Sequence, residues 1–118
     1  MIITKYDIFL ANFSSQKGSV QSGKRPCVIL QSNLFNAQSA TVLVAPLTTS
    51  ILKIFPSEFL ISPSVENGLD NLSRFLGSQI ITIDKQFLLQ SLGKLEATYR
   101  ADVQKALSVA FDLPDDFS

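Results

Sequence analysis

Two places in the chain combine residue types that can meet an anion. Lys24 and Arg25 stand directly before Pro26 and the apolar run Cys27-Val28-Ile29-Leu30. The hydroxyls Thr48-Thr49-Ser50 follow an apolar run that ends at Pro46-Leu47, with Lys53 shortly after them. A guanidinium is planar, permanently charged and matched to the oxygens of a phosphate or carboxylate. Pro26 biases the residue before it to an extended backbone, so the Arg25 side chain leaves the strand in a defined direction. Locally, two readings of Arg25 stand: a solvated surface arginine, or one held rigidly to meet an anion. The hydroxyls likewise read as caps of the next segment or as ligands for phosphate oxygens. The stretch Gly18-Ser19-Val20-Gln21-Ser22-Gly23 is small and glycine-punctuated. It is either a connector or a loop whose backbone N–H groups line an anion-binding concavity.

What the sequence lacks narrows the chemistry further. It has no histidine and one cysteine, Cys27. Ser-His-Asp and Cys-His nucleophile pairs and two-histidine acid–base catalysis are therefore excluded, and so is a Cys/His structural zinc. No metal or cofactor is expected, and any catalysis must run on Arg, Lys, Asp, Glu, Tyr, Ser or Thr. Cys27 cannot form a disulfide within the chain, which fits a reducing cytoplasm. It reads as a small core residue. Ten basic residues balance ten acidic ones, which disfavours a protein that grips duplex DNA along many phosphates but allows a local positive cleft. The start, "MIITKYDIFLANF", lacks the basic and long apolar segments of a secretory signal. No run reaches bilayer-spanning length. A cytoplasmic protein with no membrane partner is the expectation.

These residues must be positioned by the elements around them. At 118 residues the chain suits one core. A strand is predicted over 7–13, with Ile8 and Leu10 alternating against an outward Phe9. After the polar loop over 14–24, a strand opens at Pro26, which has no N–H and belongs at a strand's start. A helical turn follows over 33–36, a buried strand over 40–47, and strands over 57–61 and 73–81. Glu58 reads as exposed or bridged. A short helix capped by Asp84 is predicted over 84–89, and "GKLE" adds a short strand. A longer helix over 98–111 carries Tyr99, Val103, Ala106, Leu107 and Ala110 on one face and ends at Leu113-Pro114, ahead of an acidic tail. Strands followed by a terminal helix make a mainly β (α+β) fold, a small bent sheet or barrel with helices on one side.

Several motifs recur in order along the chain: Tyr6-Asp7-Ile8, then Gly18-Ser19 and Gln21 leading through Gly23 to Arg25-Pro26, then Asn33 and Asn36. Further on come Ala45-Pro46-Leu47-Thr48-Thr49-Ser50, Phe55-Pro56 with Glu58, Gly68-Leu69 and "SQIITIDK". In this series the chain resembles the MazF/PemK family of toxins, from Tyr6 to about Leu113. The resemblance implies an SH3-like small β-barrel with short helices and a C-terminal helix, and one toxin domain over residues 1–118. It further implies a toxin of a type II toxin–antitoxin system. Such a toxin is a metal-independent endoribonuclease that cleaves single-stranded RNA by attack of the 2′-OH, leaving 2′,3′-cyclic phosphate and 5′-OH ends. A homodimer and a cognate antitoxin with an acidic disordered tail are the implied partners.

Carried over by position, the catalytic arginine falls on Arg25 and the catalytic threonine on Thr48. Gly18, Ser19, Gln21, Gly23 and Gln79 match the family's substrate-binding positions, and Lys24, Thr49, Ser50 and Lys53 are further candidate contacts beside them. Phe13, Phe35, Phe55 and Phe75 are candidates for stacking on unpaired bases. The chain departs from the family at Val20, where many relatives have glutamate, at Ser78, where they have an acidic residue, and at Ile81, often arginine. In some branches the acidic residue is the base, a role that Ser78 cannot take. These departures carry the rival reading of a non-catalytic RNA- or protein-binding module on the same fold. A gyrase-directed toxin is a third reading, which leaves the Arg25/Thr48 pair without a task.

Overall fold

Strand β1 (Asp7–Asn12) is apolar at consecutive positions, and the fold uses both of its faces. The computed structural model describes residues 1–14 and 23–114. In it Ile8 enters one apolar cluster with Val28, Ala45, Leu47 and Phe75, while Phe9 and Ala11 enter a second with Cys27, Ile29, Val42 and Val44. The outward Phe9 expected from alternation is therefore overturned. Its ring is 1% exposed because a second core lies on that side of the strand. Strands β2 (Lys24–Ile29) and β3 (Thr41–Thr48) divide their side chains between the same two clusters, as the two-residue strand period requires.

Around these strands stand β4 (Glu58–Ile61), β5 (Ser73–Leu76), β6 (Ile81–Asp84) and β7 (Leu88–Lys94). Among the described residues they form one seven-stranded antiparallel sheet in the order β4-β5-β3-β2-β1-β7, with β6 also on β3. The mainly β expectation holds. Helix α1 (Asn33–Asn36) is the predicted turn, with Ser32 accepting from the Leu34 N–H at its start. Helix α2 (Arg100–Phe111) covers the first cluster through Val103 and Ala106. The second cluster is closed by the sheet itself, through Ile83 and Leu88, with Ile3 and Phe13. Fully burying one such side chain is worth about 1.5–3 kcal/mol. No helix among the described residues is long and apolar enough to cross a membrane.

Three sequence expectations are corrected. The strand predicted over 73–81 is two, separated by a turn in which the Gln79 N–H donates to the Leu76 carbonyl at 3.1 Å. The break lets the chain serve both halves of β3: β6 pairs its first half, Thr41↔Asp84 to Val44↔Ile81, and β5 its last, Leu47↔Phe75 and Thr48↔Arg74. The helix predicted over 84–89 shrinks to a 3-10 turn at Lys85–Phe87. Asp84 ends β6 and makes no side-chain cap bond. The apolar residues after the turn are drawn into β7 by pairing with β1, from Ala11↔Leu88 to Asp7↔Lys94. Finally, α2 stops at Asp112, which is left-handed at φ 54°, ψ 46°, before Leu113-Pro114; Ala110 is exposed rather than packed.

Candidate active site

The site forms where the β2–β3 ladder ends. The two strands pair at Ile29↔Val44, Val28↔Ala45 and Cys27↔Pro46. Beyond that point Pro26 has no N–H with which to continue the ladder. Continuing the register sets Arg25 opposite Thr48, just where the pairing has lapsed. A cleft of about 220 Å³ opens there, lined by Lys24, Arg25 and Pro26 from β2 and by Leu47, Thr48, Thr49 and Ser73. Each key residue remains pinned from its far side, Arg25 by Ala11 of β1 and Thr48 by Arg74 of β5. Two parted strands, each held by an outer neighbour, make a stiff-walled cleft.

The local chemistry suits an anion. Arg25 is half-buried, and its Nη1 donates to the Leu47 carbonyl at 3.3 Å. Burial lowers its pKa below the usual arginine value, yet a guanidinium stays protonated in a protein. A cation partly stripped of water interacts more strongly with a nearby negative charge. Thr48 is 8% exposed, and its Oγ1 accepts from the Ser50 N–H at 3.2 Å. That bond leaves the hydroxyl proton for another acceptor, so the turn-capping and ligand readings of Thr48 coexist. Next along β2, Cys27 is fully buried, and desolvation raises its pKa to about 12 against a lowering backbone hydrogen bond from Phe9. A thiol so placed is not a nucleophile at neutral pH.

The remaining sequence candidates divide. Lys24 and Thr49 line the cleft. Gly23 sits at φ +79°, and its carbonyl accepts from the Phe13 N–H at 2.8 Å, tying the loop exit to the end of β1. Gly18, Ser19, Val20 and Gln21 lie outside the described residues. Ser50, Lys53 and Gln79 do not line the cleft, nor do Ser78 and Ile81. Lys53 instead sets its Nζ 5.1 Å from the centre of the Phe55 ring. Of the four phenylalanines, Phe13 and Phe75 are buried and unable to stack on a base, whereas Phe35 and Phe55 are exposed. Among the described residues no group of three or more His, Cys, Asp or Glu side chains is placed to hold a metal ion.

Two features of the site escape the sequence reading. Arg74, facing Thr48 across the β3–β5 ladder, donates from Nη1 to the Lys53 carbonyl at 2.6 Å. Its Nε lies 3.7 Å from Glu58 Oε1, which itself accepts from the Phe55 N–H at 3.0 Å. Arg74 and Glu58 thus hold the segment that leaves Thr48, and Glu58 is bridged, one of its two predicted states. The signal in the sequence was an arginine set inside the apolar run "SRFL". The second feature is a larger cleft of about 560 Å³ that shares Pro26, Thr49 and Ser73 with the first.

Comparison with known proteins extends these observations over nearly the whole chain. The family model described as PemK-like, MazF-like toxin of type II toxin–antitoxin system matches residues 4–111. The chain is 35% identical to the endoribonuclease MazF of Staphylococcus epidermidis over 112 residues, covering 95% of this chain and 93% of the relative. It is 32% identical over 115 residues to the endoribonuclease EndoA of Bacillus subtilis (strain 168), covering 98% of this chain and 99% of the relative. Among solved structures it is similar to the Mycobacterium tuberculosis toxin MazF-mt6, with a TM-score of 0.78 at 26% identity, covering 92% of this chain and 98% of the other. A mycobacterial endoribonuclease in complex with its cognate antitoxin has the same fold, with a TM-score of 0.76 at 24% identity over 95% and 97% of the two chains.

Proposed function

We propose that this chain, which belongs to the PemK-like, MazF-like toxins of type II toxin–antitoxin systems, is itself an endoribonuclease that cleaves single-stranded RNA without a metal ion. The observation that carries the reading is the cleft between Arg25 and Thr48, one on each side of a parted strand pair. The names of the two curated relatives support it.

RNA brings its own nucleophile, so the protein need only align and stabilise. The 2′-oxygen attacks phosphorus, the P–O5′ bond breaks, the 2′-OH proton leaves and the 5′-oxygen gains a proton. The products are a 2′,3′-cyclic phosphate and a 5′-OH end. Arg25 stabilises the charge that grows on the non-bridging oxygens, from a position that needs no rearrangement during the reaction. The Thr48 hydroxyl donates to the same phosphate and, with its backbone fixed by β5, holds it in line for attack. Lys24 adds positive charge at the rim.

The partners follow from the same reading. An acidic, partly disordered antitoxin tail would compete with RNA for the Arg25 cleft by charge and by folding on contact. A second copy of the chain would complete a homodimer, and the cytoplasm is where the RNA substrate lies. The test is incubation of the purified protein with a long single-stranded RNA in EDTA, followed by analysis of the product ends. Cyclic phosphate and 5′-OH ends are expected, with the rate falling about a hundredfold to a thousandfold in Arg25→Ala. Undiminished cleavage by that variant, or cleavage only with added metal, contradicts the proposal.

A further inference from the structure

The larger cleft continues the Arg25 cleft and has the opposite electrostatic character. Its lining includes one carboxylate, Asp70, and no lysine or arginine. Neither ion pair among the described residues uses Asp70. Gln90 and Ser91 of β7 and Asn71 also line the cleft. Leu10, Leu69 and Leu92 supply apolar wall. A phosphate is disfavoured here, because the fixed charge has the wrong sign and no cation offsets it.

The turn that presents Asp70 is built to stay in place. Asn67 is fully buried; its Oδ1 accepts from the Ser64 and Leu69 N–H groups at 3.0 Å each, and its Nδ2 donates to the Ser62 carbonyl at 2.9 Å and Glu96 Oε1 at 3.0 Å. Gly68 follows at φ +69°, and a Cβ there would meet the Leu92 carbonyl at 1.9 Å. Only glycine lets the turn lie this close to β7. The position of Asp70 relative to Gln90 is thus set by backbone, not by a swinging loop.

We infer that this cleft is a nucleobase site that takes the base next to the phosphate held by Arg25, selecting a base with an exocyclic amino group against uracil. The inference rests on the proposed ribonuclease function and adds a selectivity to it. The volume of about 560 Å³ falls in the range of small-molecule sites, about 300–1,000 Å³. An ionised carboxylate only accepts hydrogen bonds. Guanine offers it two adjacent donors, and adenine and cytosine offer an amino group. Uracil turns two carbonyl oxygens outward around its single N–H and sets them against the Asp70 charge. Gln90 and Asn71 each carry a donor and an acceptor for the rest of the edge, and the leucines pack on the base face. Base-edge pairing of this kind, on bases of an unpaired strand, is how single-stranded RNA is read.

The test uses a randomised single-stranded RNA pool cut by the full chain, with sequencing of both sides of each cut. Wild type should deplete uracil about 10-fold or more at one position flanking the cut, the scale of one good base-edge pair. Asp70→Asn, whose carboxamide can donate to a uracil carbonyl, should restore uracil there, and Gln90→Ala should weaken the preference less. Arg25→Ala should cut slowly with the preference unchanged. Free acceptance of uracil at every flanking position by wild type, or an unaltered profile in Asp70→Asn, overturns the inference. Selection of the same pool for binding reads the preference without cleavage. If wild type binds with the amino-base preference and Asp70→Asn binds without it, while neither cuts, the base site stands and the nuclease reading fails.

Discussion

Strands β2 and β3 do two different things along their length. Over Cys27–Ile29 and Val44–Pro46 they are ladder-paired, and every side chain is buried, all but that of Pro46 in one of the two apolar clusters. Two residues further on, the same strands are no longer paired with each other and carry Arg25 and Thr48 into a solvent-reaching cleft. The first half contains a nucleophile type made inert, the Cys27 thiol. The second contains a cation kept partly dry and an unspent hydroxyl proton. What separates the halves is Pro26, which has no N–H with which to carry the ladder on. A rigid core placed one residue from a site supplies the fixed geometry that electrostatic stabilisation needs.

The comparison can be broken first at its buried end. Ile29→Ala should cost about 2–5 kcal/mol of stability in urea unfolding, as for other large-to-small core changes, while the folded fraction keeps its cleavage rate. Loss of rate without loss of stability would mean the halves are not divided as described. Arg74→Ala comes next. It leaves Glu58, whose side chain is 6% exposed, and the Lys53 carbonyl without their partner, at a cost of about 1–3 kcal/mol. The rate should fall with it through displacement of the segment after Thr48, and a variant as active as wild type would show that segment to be idle.

A smaller effect separates Cys27 from reactive thiols. Its folded pKa is raised from 9.0 to about 12, so folding favours the protonated form. That stabilisation is complete below pH about 9 and is lost as pH rises through that interval toward about 12. Native protein at pH 9 should therefore react with a thiol reagent far more slowly than urea-unfolded protein, and equal rates would contradict the burial argument. Pro26→Ala should have the least effect on stability, about 1 kcal/mol or less in either direction. By restoring an N–H where the ladder lapses it should still slow cleavage, as the strands draw together. An unchanged rate would show that the proline does not hold the cleft open.

The sequence carried the paired half of this arrangement better than the open half. Apolar runs bounded by proline and polar turns located β1, β2, β3 and β4, and the spacing of Val103, Ala106 and Leu107 located α2. It failed where a partner distant in the chain decided the outcome. "KQFLLQSL" is short enough to read as helix or strand by apolar spacing, and pairing with β1 makes it β7. Because only the Gly93-Lys94 end of β7 was anticipated, the cleft between Gln90 and Asp70 was not. Arg-Pro and Pro-x-Thr at strand ends made Arg25 and Thr48 candidates with bland readings beside them, and the resemblance to the toxin family singled them out. Their register across the gap was not legible, since it follows from the pairing of residues further in.

A double-mutant cycle on single-turnover cleavage in EDTA, with Arg25→Ala, Thr48→Ala and both together, tests the central claim most directly. If one phosphate lies between the two side chains, the double variant is slowed by clearly less than the product of the single effects, because either loss already misplaces the group that both hold. Fully multiplicative effects, or wild-type cleavage by either single variant, would contradict a shared phosphate.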